Sequence, residues 1–488
     1  MIYARAMVAK ATGMDTFEYS GEWWDLRDPA IRWTGTLRFD PVEGAVLTVT
    51  DPTQEIPAGQ ALAEAFGRTL REYDAILGET TAGKAISLLR CFDKSAGGGG
   101  WPPRPRSRKI FANAVLVGFH GDGRDPLVSG ASALFRHANV WWNQSGITVD
   151  PPVKWPDASV QYKRPSPVEV FANGDLKIKI CATLASLSFR ADPSGEYTLR
   201  EEVRVELTSK TPRPLSVVEE MMHACQDLLS IACQQYCDME RLTVIEPVAE
   251  RPQTATFHAI PIFKNRGEVR DLHSSDLLFT FTDIKDNADK IFDAWLTNAA
   301  VLRPIRALYF SAIYSPNYLE GRFLALVQGV EGFHRRFRGG LYMDPTVFEE
   351  AVAPLISAIP TNLESSHRTA LRNRLKYGNE YSLFKRLTLL FDEHKMALVK
   401  IVPKAGHLVE PIVTRRNELT HFPPDSRSTP IDVEEWLRHN FVLRLLLEFC
   451  FLKTMGFAAD EIARLVDRRD EYRRWVERLF RRGTQPGT

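Results

Sequence analysis

ADKIFDAWLTNAAVLRPIRALYFSAI, residues 288–313, marks the place where this chain changes its period. It reads as helix, with a break expected at Pro304, because proline removes a backbone donor and clashes with the preceding turn. Downstream, YLEGRFLALVQGVEGFHRRF (318–337) carries apolar residues at 319, 323, 326, 327, 330 and 333. That is the i, i+3, i+4 stripe of an amphipathic helix. Asp344-Pro345 opens another helix with proline at its first position. Asp432 followed by Glu435 resembles a capping box and starts a helix running through Leu452.

Upstream the period is two. WTGTLRFDPVEGAVLTVT (33–50) is a pair of alternating runs flanking an Asp40–Gly44 turn, a hairpin signal. Further strand-like runs lie at Tyr73–Leu77, Ala85–Phe92, Ala114–Phe119, Leu176–Ile180, Leu184–Phe189 and Glu202–Leu207. Helical periodicity intrudes at Gln60–Tyr73. The expected fold class is α+β: a β-rich, sandwich- or barrel-like domain over 15–280, then an all-α helical bundle over 281–488. A helix near 216–240 and an irregular stretch at 245–280 join the two.

A chain of 488 residues exceeds one ordinary core. Its net charge of +1 provides no global basic field, so any nucleic-acid surface must be local. The most apolar run, Phe441–Leu452, is interrupted by Arg444 and Glu448 and is too short for a membrane span, so a buried helix is expected. The first thirteen residues lack a secretory h-region, and Met14 is an alternative start. Six scattered cysteines fit a reducing cytoplasm. Cytoplasmic location with no membrane contact is the expectation.

Several motifs are weak. GETTAGKA (78–85) approaches a phosphate-binding loop, but its last position is Ala85 where Ser or Thr would hold magnesium. The following AISLLRCF reads as a strand instead of a helix, so a hairpin turn is expected. His223, Cys225, Cys233 and Cys237 lack a paired C-x-x-C and read as core packing. Trp23, Trp24, Trp141 and Trp142 suggest base stacking, yet burial is the commoner fate of such rings. Lys94–Lys109, rich in glycine, proline and basic residues, reads as an exposed loop. No metal site and no cofactor are expected.

Chemistry concentrates in Arg416-Asn417-Glu418-Leu419-Thr420-His421, on a short helix that Pro423 and Pro424 terminate. At about 100° per residue, Asn417 and His421 share a face one turn apart, and the long Arg416 side chain can converge on the same phosphate. His421, at the helix C-terminus, sits where the dipole favours imidazolium, which suits a proton donor or a residue cycling between acid and base. Arg416 suits neutralising charge on a phosphorane-like transition state. Asn417 could orient the phosphate or the imidazole.

With its neighbours the motif resembles the R-N-x-x-x-H signature of the HEPN superfamily. More narrowly, the chain resembles the ApeA family of bacterial anti-phage proteins. The likeness runs through 21–49, 73–92 and 112–123 in the first half, and through 318–337, LRNRLKYGNEYSLFKRL (371–387) and VTRRNELTHF (413–422) in the second. It implies an abortive-infection endoribonuclease that cleaves host RNA, tRNA or another structured RNA, without metal. The ribose 2′-hydroxyl is then the nucleophile and the product a 2′,3′-cyclic phosphate. It further implies a homodimer or higher homo-oligomer with a composite cleft, and a phage-derived trigger sensed through the β domain. By the same resemblance Arg416, Asn417 and His421 are the catalytic set and Glu331 the carboxylate supporting the arginine. His334, Arg335 and Arg336 are then candidates for RNA contact. Two alternatives stay open: a catalytically silent HEPN module that binds RNA or nucleotide, and a toxin restrained by its β domain.

Overall fold

A computed structural model describes residues 16–51, 72–97, 106–150, 159–187, 199–247, 253–259, 270–402, 404–421 and 432–481. Two compact units divide the chain, one over 1–264 and 272–296, the other over 265–271 and 297–488.

The first unit is built on strands β1 (Phe17–Asp25), β2 (Asp28–Asp40), β3 (Gly44–Asp51), β4 (Glu72–Thr80), β5 (Ala85–Gly97) and β6 (Arg106–Val117). These pair antiparallel in the order β6-β3-β2-β1-β4-β5, and β5 returns to β6, so the six close into a barrel. Closure removes the free edges that an open sheet would expose. Alternate residues turn inward: Trp33, Leu37 and Phe39 from β2, Leu47 and Val49 from β3, and Ile86 and Leu88 from β5 form the barrel core with Trp23 and Ile110. The β2–β3 turn is the expected one, with Asp40 Oδ1 accepting from the backbone of Val42 (2.7 Å) and Glu43 (3.1 Å). Those two bonds hold the Asp40 carboxyl below its usual range.

GETTAGKA is a hairpin turn between β4 and β5, as its sequence suggests. Thr80 N donates to the Lys84 carbonyl at 3.0 Å, and Gly83 adopts φ +73°. Its first glycine has a packing role, because a Cβ on Gly78 would fall inside the Trp23 indole. Gly78→Ala is therefore expected to cost about 1–3 kcal/mol through overpacking of a closed barrel. A denaturation midpoint equal to wild type would contradict this.

A second sheet layer continues from β6 through β14 (Thr254–Ala259), β13 (Met239–Ile245), β7 (Leu127–Phe135), β12 (Leu199–Pro214), β11 (Leu176–Leu187) and β10 (Val168–Asn173), all antiparallel. The short strands β8 (Ile147–Asp150) and β9 (Ser159–Tyr162) pair apart from it. Helix α1 (Ala138–Trp142) and helix α2 (Leu215–Cys233) cover this sheet. The two expected runs at 176–180 and 184–189 are parts of β11, with 188–189 outside the described residues. The stretch expected to be irregular contains all of β14. Most of the expected Gln60–Tyr73 helix lies outside the described residues, and Tyr73 itself is in β4. The tip of the 94–109 loop is likewise outside them, and its flanks belong to β5 and β6.

All four tryptophans read as core are buried. Trp142 stacks on Phe281 at a centroid separation of 4.3 Å, and Trp295 donates to the Ala224 carbonyl at 2.8 Å. Through these contacts α3 (Phe281–Ile284) and α4 (Ala288–Thr297) join the β unit, past the expected division at 280/281. Cys225, Cys233 and Cys237 are buried and form no disulfide among the described residues, and His223 bonds Gln226 at 2.9 Å.

The second unit comprises α5 (Ala299–Tyr314), α6 (Leu319–Arg338), α7 (Pro345–Ser357), α8 (Ser365–Lys376), α9 (Leu383–Glu393), α10 (Lys395–Ile401), α11 (Val409–His421), α12 (Val433–Thr454), α13 (Ala459–Asp467) and α14 (Asp470–Val476). The break expected at Pro304 falls instead at Asn298, and α5 runs through the proline. Arg306 reaches back to the Ala299 carbonyl at 3.0 Å, satisfying a backbone group close to the lost donor. Asp344 and Asp432 cap α7 and α12, accepting from Thr346 N and Glu434 N. Helix α12 is the central buried helix, and no helix among the described residues is long and apolar enough to cross a membrane.

Next to α12 lies His394, 5% exposed, its Nε2 3.6 Å from Cys450 Sγ. Burial brings its pKa down to about 4 from 6.5. A histidine depressed in the fold leaves the unfolded chain binding more protons between those values, so stability falls as pH drops from 6.5 towards 4. The loss is on the order of 3 kcal/mol, and it should be absent in His394→Asn. Parallel stability–pH curves for the two proteins would contradict it.

Candidate nuclease site

The motif helix α11 spans Val409–His421 and packs on α6 and α9. Only Val409 and Ile412 of this helix are buried, so its C-terminal turns rest on the bundle with their polar groups towards the surface. Pro423 and Pro424 lie outside the described residues.

Arg416 sits between two acceptors. Its Nη1 donates to Asn417 Oδ1 at 3.1 Å, and its Nη2 lies 3.8 Å from Glu331 Oε2. Glu331 projects from α6 with 18% of its side chain exposed, and its other oxygen accepts from Arg335 Nε (3.1 Å) and Nη2 (3.0 Å). Glu331 thus aims the Arg416 guanidinium from below, without itself lying at the surface. Asn417 and His421 are exposed on the same helix, and His421 makes no hydrogen bond or ion pair among the described residues. Thr420 donates to the Arg416 carbonyl at 2.7 Å, satisfying one backbone acceptor near the helix end. A half-exposed guanidinium, an exposed amide and an exposed imidazole are therefore presented on a single helical turn and a half. This set can bind an anion and transfer a proton beside it.

The three residues expected to contact RNA divide. Arg335 is held by Glu331 and Glu380. Arg336 donates to the Val301 carbonyl at 2.7 Å. His334 turns inward: it is 2% exposed, and its Nδ1 lies 3.1 Å from Arg386 Nη1. Burial, and secondly the Arg386 charge, lower its pKa, which keeps the ring neutral so that Nδ1 accepts. Direct contact between His334 and RNA is corrected to an internal role, because α6 turns that face into the bundle.

Three neighbours were not anticipated from sequence. Arg415 pairs with Glu418 at 2.7 Å and approaches Glu435 at 3.6 Å, tying α11 to the start of α12. Glu380 completes the Arg335 pair. Arg386 is almost fully buried, its Nη1 donating to Gly339 O at 2.6 Å and its Nε to Tyr381 O at 3.0 Å. The signal for Arg386 was present, since it occupies an apolar-face position of α9 beside Leu387 and Leu390.

The family profile described as Apea-like HEPN matches residues 324–461, a span that includes the helix carrying Arg416, Asn417 and His421. The profile described as ApeA N-terminal domain 1 matches residues 18–295. The chain belongs to the ApeA family. Searches of curated proteins and of solved structures find no match. The family membership supports a HEPN-type nuclease role in defence against phage.

Proposed function

We propose that this protein is a metal-independent endoribonuclease of anti-phage defence, cutting host RNA, tRNA foremost, in the cytoplasm after a phage-derived component is sensed through the β unit. The observation that carries the reading is Arg416 held between Glu331 and Asn417, with Asn417 one helical turn from an exposed His421.

In this reaction the ribose 2′-oxygen forms a bond to the adjacent phosphorus as the bond to the 5′-oxygen breaks. The 2′-hydroxyl proton must leave and the departing 5′-oxygen must gain one, giving a 2′,3′-cyclic phosphate and a 5′-hydroxyl. His421 supplies the proton transfer, typically worth about 10²–10⁴-fold. Arg416 neutralises the charge gathering on the phosphoryl oxygens. Asn417 offers its amide to the phosphate while fixing the guanidinium. In a homodimer two motif helices face each other, so that one imidazole serves as base and the other as acid.

The test is sequencing of RNA ends in infected cells carrying wild type or Arg416→Ala. New cyclic-phosphate ends in wild type alone support the reading. Intact RNA in wild type despite protection from phage favours a silent binding module.

A further inference from the structure

Helix α8, Ser365–Lys376, carries Arg368, Arg372, Arg374 and Lys376 and no acidic residue. None of its residues is buried. Arg368, Arg372 and Lys376 recur four apart, so they form one stripe of like charge, a spacing that destabilises an isolated helix. Among the described residues none of the four basic side chains enters an ion pair. The contrast with the base of the same hairpin is sharp: Arg335 and Arg338 are both paired with carboxylates. Such an uncompensated stripe is complementary in charge to a polyanion.

The position of this helix points to which polyanion. Helices α7 and α8 form a hairpin whose two ends meet in a short clamp. Leu341 bridges Glu380, Tyr342 N donates to Asn379 O at 2.9 Å, and the Asn379 side chain holds both backbone groups of Met343. Arg386 ties the clamp to α9, and His334 ties it to α6. Those are the two helices on which α11 rests. The pairing also runs through to the motif: Glu380 at the foot of α8 binds Arg335, Arg335 binds Glu331, and Glu331 faces Arg416. The arm and the motif helix are thus fixed to one frame.

We infer that α8 is a docking arm for the phosphate backbone of RNA, holding the strand on Arg368, Arg372 and Lys376 while a neighbouring phosphate lies at Arg416. This rests on the RNase reading above. Contacts of this kind fix position and register and carry no base sequence. The salt dependence of binding is their signature, since each phosphate neutralised on a single strand contributes roughly 0.7 to the log–log slope.

The experiment titrates a labelled RNA stem-loop with the full-length His421→Ala protein, with and without Arg368→Gln, Arg372→Gln and Lys376→Gln together, over about 50–200 mM salt. The expected result is Kd weakened on the order of ten-fold, with the slope reduced by about 2. Thermal unfolding should be no lower than the parent's, because repulsion along α8 is relieved. A companion carrying Arg368→Lys and Arg372→Lys keeps the charge and should keep both Kd and slope. Unchanged Kd and slope in the glutamine variant overturn the inference, as does loss of binding in the lysine variant, or α8-dependent capture of an acidic protein in place of RNA. Absence of cleavage by wild type with α8-dependent binding intact would sink the RNase reading and leave the arm standing.

Discussion

His421→Ala should lower the rate of RNA cleavage by about 10²–10⁴-fold while leaving unfolding of the chain as in wild type. The imidazole is exposed at the last residue of α11 and makes no hydrogen bond among the described residues, so its removal opens no cavity and strands no partner. The whole effect is then chemical. Arg416→Ala should also remove at least about two orders of magnitude, as loss of a preorganised donor to a developing oxyanion does. Arg416→Lys should recover little of it, because an ammonium cannot contact Asn417 and Glu331 together while facing a phosphate. The two changes should combine far less than multiplicatively, since both serve one transition state. Single-turnover rates on an RNA stem-loop give these values. Near-wild-type cleavage by either alanine variant would remove that residue from the site.

The largest effect on stability is expected at Glu448. This carboxylate is fully buried in α12, where Oε1 accepts from Tyr309 Oη (2.6 Å) and Arg444 Nε (2.7 Å) and Oε2 accepts from Tyr472 Oη (2.6 Å). It links three helices of the unit, α5, α12 and α14. Burial and then the Glu448 charge push both tyrosine hydroxyls well above their ordinary range, so each stays a donor. Glu448→Ala removes the buried carboxylate on which Arg444 and the Tyr309 and Tyr472 hydroxyls converge. Breaking a buried pair this way costs about 3–5 kcal/mol, and for a unit of this size the midpoint should fall on the order of 10 °C. Glu448→Gln retains an acceptor for one hydroxyl and should fall less. Thermal unfolding of the full chain measures both, and equal midpoints for Glu448→Ala and wild type would refute the network's structural role.

The helical half was the more legible in sequence. The stripe at 319–333 became α6 within a residue or two, and Asp344 and Asp432 cap the helices they announced, because these signals are local. The β2–β3 hairpin was legible for the same reason, with its turn residues adjacent in the chain. Barrel closure was not, since pairing β3 with β6 and β1 with β4 joins residues far apart in sequence. Strand β7, LVSGASALF, is rich in small residues and lacks the β-branched alternation that marks a strand. At the site, the motif and Glu331 were legible as residues, and the structure places Glu331 beside Arg416. The inward turn of His334 was hidden, because it depends on Arg386 arriving from α9, fifty-two residues away.

The central claim is tested most directly by incubating the purified full-length protein, with its trigger supplied by phage-infected lysate, with RNA in excess EDTA, and analysing the new termini. The account predicts strand scission that leaves 2′,3′-cyclic phosphate and 5′-hydroxyl ends, lost in both Arg416→Ala and His421→Ala. Scission abolished by EDTA, or 3′-hydroxyl and 5′-phosphate ends, would contradict it.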